Sequence, residues 1–317
     1  FLIGVIIIGF GIMTRPGPEE TALYRRQQDS LASLAAASER VEAKKHSPDT
    51  VSLSASEDTL AALLPDSARQ DYFASRFGPF AGSAEGKDTN YVLENSLLRV
   101  FVSAKGGRVI SAELKKYKTF DGTPLLLFHG DSNVFSLQFP AATHVISTGE
   151  LYFSPHITSG KNNGRSLLMR LEPDPGHYVE YRYALDENSY LLNMVVTVKG
   201  MEHIIPVNCG YLSLDWRVNI PKQEKSMEAE RMVSTVYYSF TDGEVDYLSE
   251  TSDERKDLST RVRWIGFKQH YFTSVLIAGK GFDKPATVET VTDPSSLTHV
   301  KRMSAGITLA YNHGAAE

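Results

Sequence analysis

The sequence predicts a mainly β fold, a large sandwich of antiparallel sheets, and three observations lead there. From about Asn90 the hydrophobic pattern has a period of two residues: in the 212–220 segment Leu212, Leu214, Trp216, Val218 and Ile220 share one face, and Ser213, Asp215, Arg217 and Asn219 the other. That alternation suits a sheet with one buried side. Turn-forming clusters at Gly106-Gly107, Asp174-Pro175-Gly176 and Asp186-Glu187-Asn188 punctuate the apolar runs. Helical spacing is rare between these runs, so strand follows strand, as in sheets packed face to face.

The elements follow in order. Residues 1–13, FLIGVIIIGFGIM, carry no charge and end at Thr14-Arg15-Pro16-Gly17-Pro18. A membrane span needs about 20 apolar residues. Gly4, Gly9 and Gly11 disfavour a buried core helix, and a basic region and small-residue cleavage site, which a secretory signal needs, are not visible. Residues 1–15 therefore read as the C-terminal part of a truncated transmembrane helix. Residues 16–89 read as a helical stalk and polar linker. Glu19 to Lys45 is free of Gly and Pro and rich in helix formers, with acids at its start and Lys44-Lys45 at its end. Its apolar stripe, Leu23, Leu34 and Val41 with Gln27, suits either a thin coiled-coil seam or a solvated helix. The rest is mixed Ser, Asp, Ala, Pro and Gly with one short helix predicted at Glu57–Leu64.

The folded domain is expected over 90–317. Leu97–Val102 and Val109–Tyr117 form a hairpin around Gly106-Gly107, and strands are predicted at Val134–Phe139, Leu167–Leu171, His177–Tyr183, Tyr190–Val198, Leu212–Ile220, Ser234–Phe240 and Arg263–Ala278. Trp216, Trp264 and Phe267 should be largely buried. The charged insert Lys222–Met232 reads as a surface helix. Within Arg261–Ala278 the apolar pattern is broken by Lys268, Gln269 and His270. A bulge or bend at a sheet edge would turn Lys268 and Gln269 to water; a polar cleft or an interface is the other reading.

The net charge of −5 argues against a nucleic-acid surface, which is normally basic. Cys209 is the sole cysteine, which rules out an intramolecular disulfide. The nine histidines lack the i, i+2 or i, i+4 spacing of a metal site, and GxSxG, phosphate-loop and dinucleotide motifs are missing. No catalytic, cofactor-binding or metal residues, and no cofactors, are predicted. Asp242/Glu244 and Asp253/Glu254 read as solvated charge. Tyr237-Tyr238-Ser239-Phe240 and Tyr271-Phe272 read as core or cross-strand aromatics, with a stacking platform for a sugar or peptide as the alternative.

The chain resembles the YidC family of bacterial membrane protein insertases, specifically the extracytoplasmic domain after the first span. The residues that carry the resemblance are Glu94-Asn95 with Leu98 and Val100, Gly106-Gly107, Leu114-Lys115-Lys116-Tyr117, Pro124-Leu125 and, above all, Trp264-Ile265-Gly266-Phe267-Lys268-Gln269-His270-Tyr271-Phe272. The resemblance implies an inner-membrane anchor contacting lipid, a periplasmic β-supersandwich, and a C-terminal membrane block, absent here, that performs insertion. It implies a non-enzymatic accessory role, assisting insertion and folding of inner-membrane proteins by binding SecD, SecF and SecY of the Sec translocon or nascent membrane proteins. The alternative is a membrane-tethered carbohydrate-binding or carbohydrate-active sandwich. Two carboxylates and a His converging in a cleft would favour that alternative; apolar and amide groups without convergent acids would favour the insertase reading.

Overall fold

A computed structural model of the chain describes residues 2–9, 65–130, 132–141, 144–159 and 165–312. The predicted helices at Glu19–Lys45 and Glu57–Leu64 lie outside the described residues. Among the described residues every strand pairing is antiparallel, in two sheets. The smaller is a four-stranded meander of β2 (Asn90–Glu94), β3 (Leu98–Ser103), β4 (Val109–Lys118) and β5 (Pro124–Phe128). The larger runs β7 (His144–Ser147), β6 (Val134–Ala141), β12 (Tyr211–Pro221), β18 (His299–Ala310), β17 (Phe272–Val291), β1 (Leu2–Gly9), β11 (Leu191–Lys199), β10 (His177–Leu185), β9 (Arg165–Asp174) and β8 (Ser154–Ser159). A flap of β13 (Thr235–Phe240), β14 (Val245–Tyr247) and β16 (Val262–Lys268) continues from the first half of β17, and β15 (Glu254–Leu258) pairs with its second half.

The core lies between the sheets, because alternation puts every second residue inward. The five apolar residues of β12 named above are all buried, as are Val100, Val102, Ala112 and Leu114 of the smaller sheet. Trp216 stacks on Phe267 with ring centroids 3.8 Å apart. Trp264, expected in the core, is only half-buried: Ile265 and Phe267 take the inward face of β16 and are fully buried, so Trp264, offset by one residue beside a register shift in the β16–β17 pairing, faces the other way. The Gly106-Gly107 turn takes positive φ at both residues, and a Cβ on Gly107 would come within 2.8 Å of the Phe153 ring.

Three expectations need correction. Leu2–Gly9, read as the end of a transmembrane helix, forms strand β1 between β11 and β17. Five of its eight residues are Val or Ile, which favour strands, and two sheet neighbours satisfy its backbone groups. Among the described residues no helix is long and apolar enough to cross a membrane. The polar stretch before Asn90 contains helix α1 (Asp66–Phe77), with Asp66 in its first turn and Arg76 in its last. It is fixed by Arg76–Glu150 at 2.6 Å and by Phe80, beyond its end, packed edge-on to Phe139 at 5.7 Å. Finally, Lys222–Met232 is helical only at α2 (Met227–Arg231), capped by Ser226, whose Oγ accepts from Ala229 N.

Candidate functional site

The residues that carry the family resemblance turn out to lock the sheets together. Asn95 Oδ1 accepts from the amides of Leu97 and Leu98 at 2.8 and 2.7 Å, while its Nδ2 donates to the carbonyls of Asp186 and Ser189 at 2.6 and 2.7 Å. One side chain thus ties the β2–β3 turn to the β10–β11 turn. Gln269 is buried, and its Nε2 donates to Leu127 O at 3.0 Å, linking the β16–β17 turn to β5. Lys268 donates to Val233 O at 2.7 Å and pairs with Glu250 at 2.9 Å. Gln269 is thus buried with a partner, as a buried amide must be, while half-buried Lys268 ties the end of β16 to the loops at Val233 and Glu250.

A cleft of about 520 Å³ is lined by Asp88, Lys105 and Arg108, Asn133–Ser136 at the start of β6, and Ser147 with Gly149, Glu150 and Tyr152. Ser136 and Ser147 of its lining join a hydroxyl network that continues into the core. Ser136 Oγ accepts from Gly149 N at 2.9 Å and lies 2.9 Å from Ser147 Oγ. Thr148 Oγ1 accepts from Leu137 N at 2.9 Å and from Tyr181 OH at 3.0 Å. Tyr183 OH donates to Gly107 O at 2.8 Å. Burial pushes both phenols upward, so they stay neutral and act as donors. Of the lining carboxylates, Asp88 accepts from Ser103 Oγ at 2.5 Å and from Lys105 N at 3.2 Å, and Glu150 pairs with Arg76. Lys105 Nζ lies 5.9 Å from the centre of the Tyr152 ring. Behind Asn133–Phe135 a small apolar cavity of about 50 Å³ opens between the sheets, walled by Trp216, Met194 and Leu276 among others.

The cleft therefore offers hydroxyls, amides, two cations and the faces of Phe135 and Tyr152. Its two carboxylates are engaged, and its lining includes no histidine. His177 sits at the β9–β10 hairpin with a ring nitrogen on Gly200 O and its ring 4.5 Å from His203. His203 Nε2 in turn lies 3.7 Å from Asp174 Oδ2, at a hairpin that contributes no residue to the cleft lining. Among the described residues no group of three His, Cys, Asp or Glu could hold a metal ion. Sequence reasoning missed the cleft entirely, since it is assembled from four separate segments with no motif.

Of the aromatic clusters, Tyr238 is fully buried with its hydroxyl donating to Asp246 at 2.8 Å, and Tyr237 stacks on Tyr247 across the strand pair at 4.8 Å. Glu230, expected on an exposed helix, is completely buried, and its carboxylate accepts from Gln223 N at 3.0 Å and Glu224 N at 3.2 Å. It closes the loop rather than offering a contact surface; Glu228 is exposed.

The chain matches the YidC periplasmic domain family over residues 90–315. It is 33% identical to the membrane protein insertase YidC of Parabacteroides distasonis over 89% of this chain and 43% of that protein. The corresponding proteins of Porphyromonas gingivalis and Bacteroides fragilis are 32% and 29% identical, over 89% and 96% of this chain and 43% and 46% of theirs. The chain thus spans less than half the length of these relatives. Among solved structures, a galactose mutarotase-like protein from Lactobacillus casei is similar at 10% identity and a TM-score of 0.37, covering 72% of this chain and 90% of that one; nothing is built on so loose a likeness. With a fold of antiparallel sheets and a matching domain over most of its length, this chain belongs to the YidC periplasmic domain family.

Proposed function

We propose that this domain serves a membrane protein insertase as a periplasmic binding module, engaging segments of nascent membrane proteins or of SecD, SecF and SecY. The observation that carries this reading is the cleft beside β6: open, lined by amides, hydroxyls and aromatic faces, with both carboxylates already bonded. Such a surface suits an extended polypeptide, whose backbone needs donors and acceptors and whose side chains need apolar faces. The carbohydrate alternative is disfavoured by a cleft whose lining includes no histidine and whose two carboxylates are already bonded. Photocrosslinkers placed at Phe135 and Tyr152 of the full-length insertase test the proposal. Capture of nascent inner-membrane proteins or Sec subunits supports it; equal capture from Val145, exposed on the edge strand β7, shows that the cleft has no special role.

A further inference from the structure

The β4–β5 hairpin forms a projecting finger of unusual chemistry. Lys115, Lys116, Tyr117 and Lys118 are consecutive and exposed, followed by exposed Phe120. Two other segments join it. Phe120 N donates to Gln223 O at 3.1 Å, and Lys222 Nζ lies over the Phe120 ring at 5.3 Å. Tyr117 packs edge-on to Phe272 at 5.1 Å, next in the chain to exposed Tyr271, which stacks on His270 at 4.0 Å. Tyr117, Phe120 and Tyr271 are thus 42%, 55% and 47% exposed yet held by defined contacts. In a chain of net charge −5 this end carries Lys116, Lys118, Lys222 and Lys225 against Asp121 and Glu224. Lys115 is offset by Glu94 at 3.8 Å. Asp121 folds back on the hairpin tip, accepting from Thr123 N and Oγ1 at 3.2 and 3.0 Å, and Glu224 lies 4.0 Å from His270.

We propose that this basic aromatic finger is a docking surface for an acidic polypeptide segment bearing apolar side chains, a proposal that rests on the binding role above and adds to it a second surface, separate from the cleft. Charge complementarity selects an acidic partner. Fixed, half-exposed aromatic rings are the side chains that dominate protein interfaces, because they offer large apolar area at low entropic cost. A polypeptide fits better than lipid. Headgroup-binding segments concentrate about 4–8 Lys or Arg together, whereas here acids are interspersed and the rings are held in one arrangement.

The test uses the whole 317-residue chain and a fluorescein-labelled random copolymer of Glu and Tyr, with anisotropy as the readout. Binding to the wild type should weaken at least about five-fold between 50 and 300 mM salt, since exposed charges are screened. The variants K116E/K118E and F120S/Y271S, both at exposed positions and each first checked for an unchanged circular dichroism spectrum, should each weaken it at least about ten-fold. Poly-Glu, lacking the rings, should bind more weakly than the copolymer. Equal affinity of both variants and the wild type overturns the proposal, as does binding to phosphatidylglycerol vesicles without binding to the copolymer. Crosslinking from Phe135 that persists alongside such a failure removes the finger while leaving the cleft's role in place; loss of both removes the binding role.

Discussion

Replacing Glu230 by Gln should change how stability depends on pH. Glu230 is fully buried, and burial pushes its carboxyl from the ordinary 4.5 up to about 7, with Glu224 nearby adding to the effect while the amides of Gln223 and Glu224 and the charge of Lys222 oppose it. Between pH 4.5 and 7 the folded protein keeps a proton that the unfolded chain has released. This group's contribution is therefore fully present below about pH 4.5 and is lost as pH rises through about 7. At about 1.4 kcal/mol per pH unit, the whole displacement corresponds to about 3 kcal/mol, of which about 2–3 falls between pH 5 and 8. Gln keeps an acceptor oxygen for the Gln223 amide and has no charge to lose. Urea unfolding at pH 5, 6, 7 and 8, followed by Trp fluorescence, gives the stability of each protein. The difference between E230Q and wild type should move by about 2–3 kcal/mol in favour of the variant from pH 5 to 8. Parallel curves would refute the reasoning and show Glu230 to be ionised, and well paired, throughout.

Other outcomes follow from the same geometry. F267A empties the space against Trp216 and should cost about 3–5 kcal/mol by urea unfolding, with a shift in Trp emission. Q269A leaves the Leu127 carbonyl without its donor and should cost about 1–3 kcal/mol, measured in the same way. G107A meets both a positive φ and the Phe153 ring, and should lower the melting temperature by several degrees, whereas alanine at Gly122, where no atom lies within 4 Å of a Cβ, suffers from φ alone. Protease added outside spheroplasts carrying the full-length insertase should digest this domain, and complete protection would contradict its periplasmic placement.

Much of the fold was legible because alternation is directly visible where inward residues are all apolar, as in β12. It fails where an inward position is polar. In β18, Lys301 points inward and is buried, its ammonium donating to Ser234 O and Glu250 O at 2.9 and 2.7 Å, and the strand was not predicted. β15, Glu-Arg-Lys-Asp-Leu, buries only Leu258 and shows no pattern at all. The insert around α2 misled for the opposite reason: its charge density suggests water, yet Gln223 and Glu230 face inward. The family motifs were legible as sequence, but their role in tying turns to neighbouring strands depends on partners as distant as Asn95 and Ser189. The cleft joins segments from Asp88 to Tyr152 through tertiary structure alone, so no local spacing announces it.

The binding role is tested most directly by hydrogen–deuterium exchange on the full-length insertase with and without a ribosome displaying a nascent inner-membrane protein. Exchange should slow at Asn133–Ser136 and Thr148–Tyr152, the walls of the cleft, when the nascent chain is present. Unchanged exchange there, with slowing produced instead by an oligosaccharide, would contradict the account and restore the carbohydrate-binding alternative.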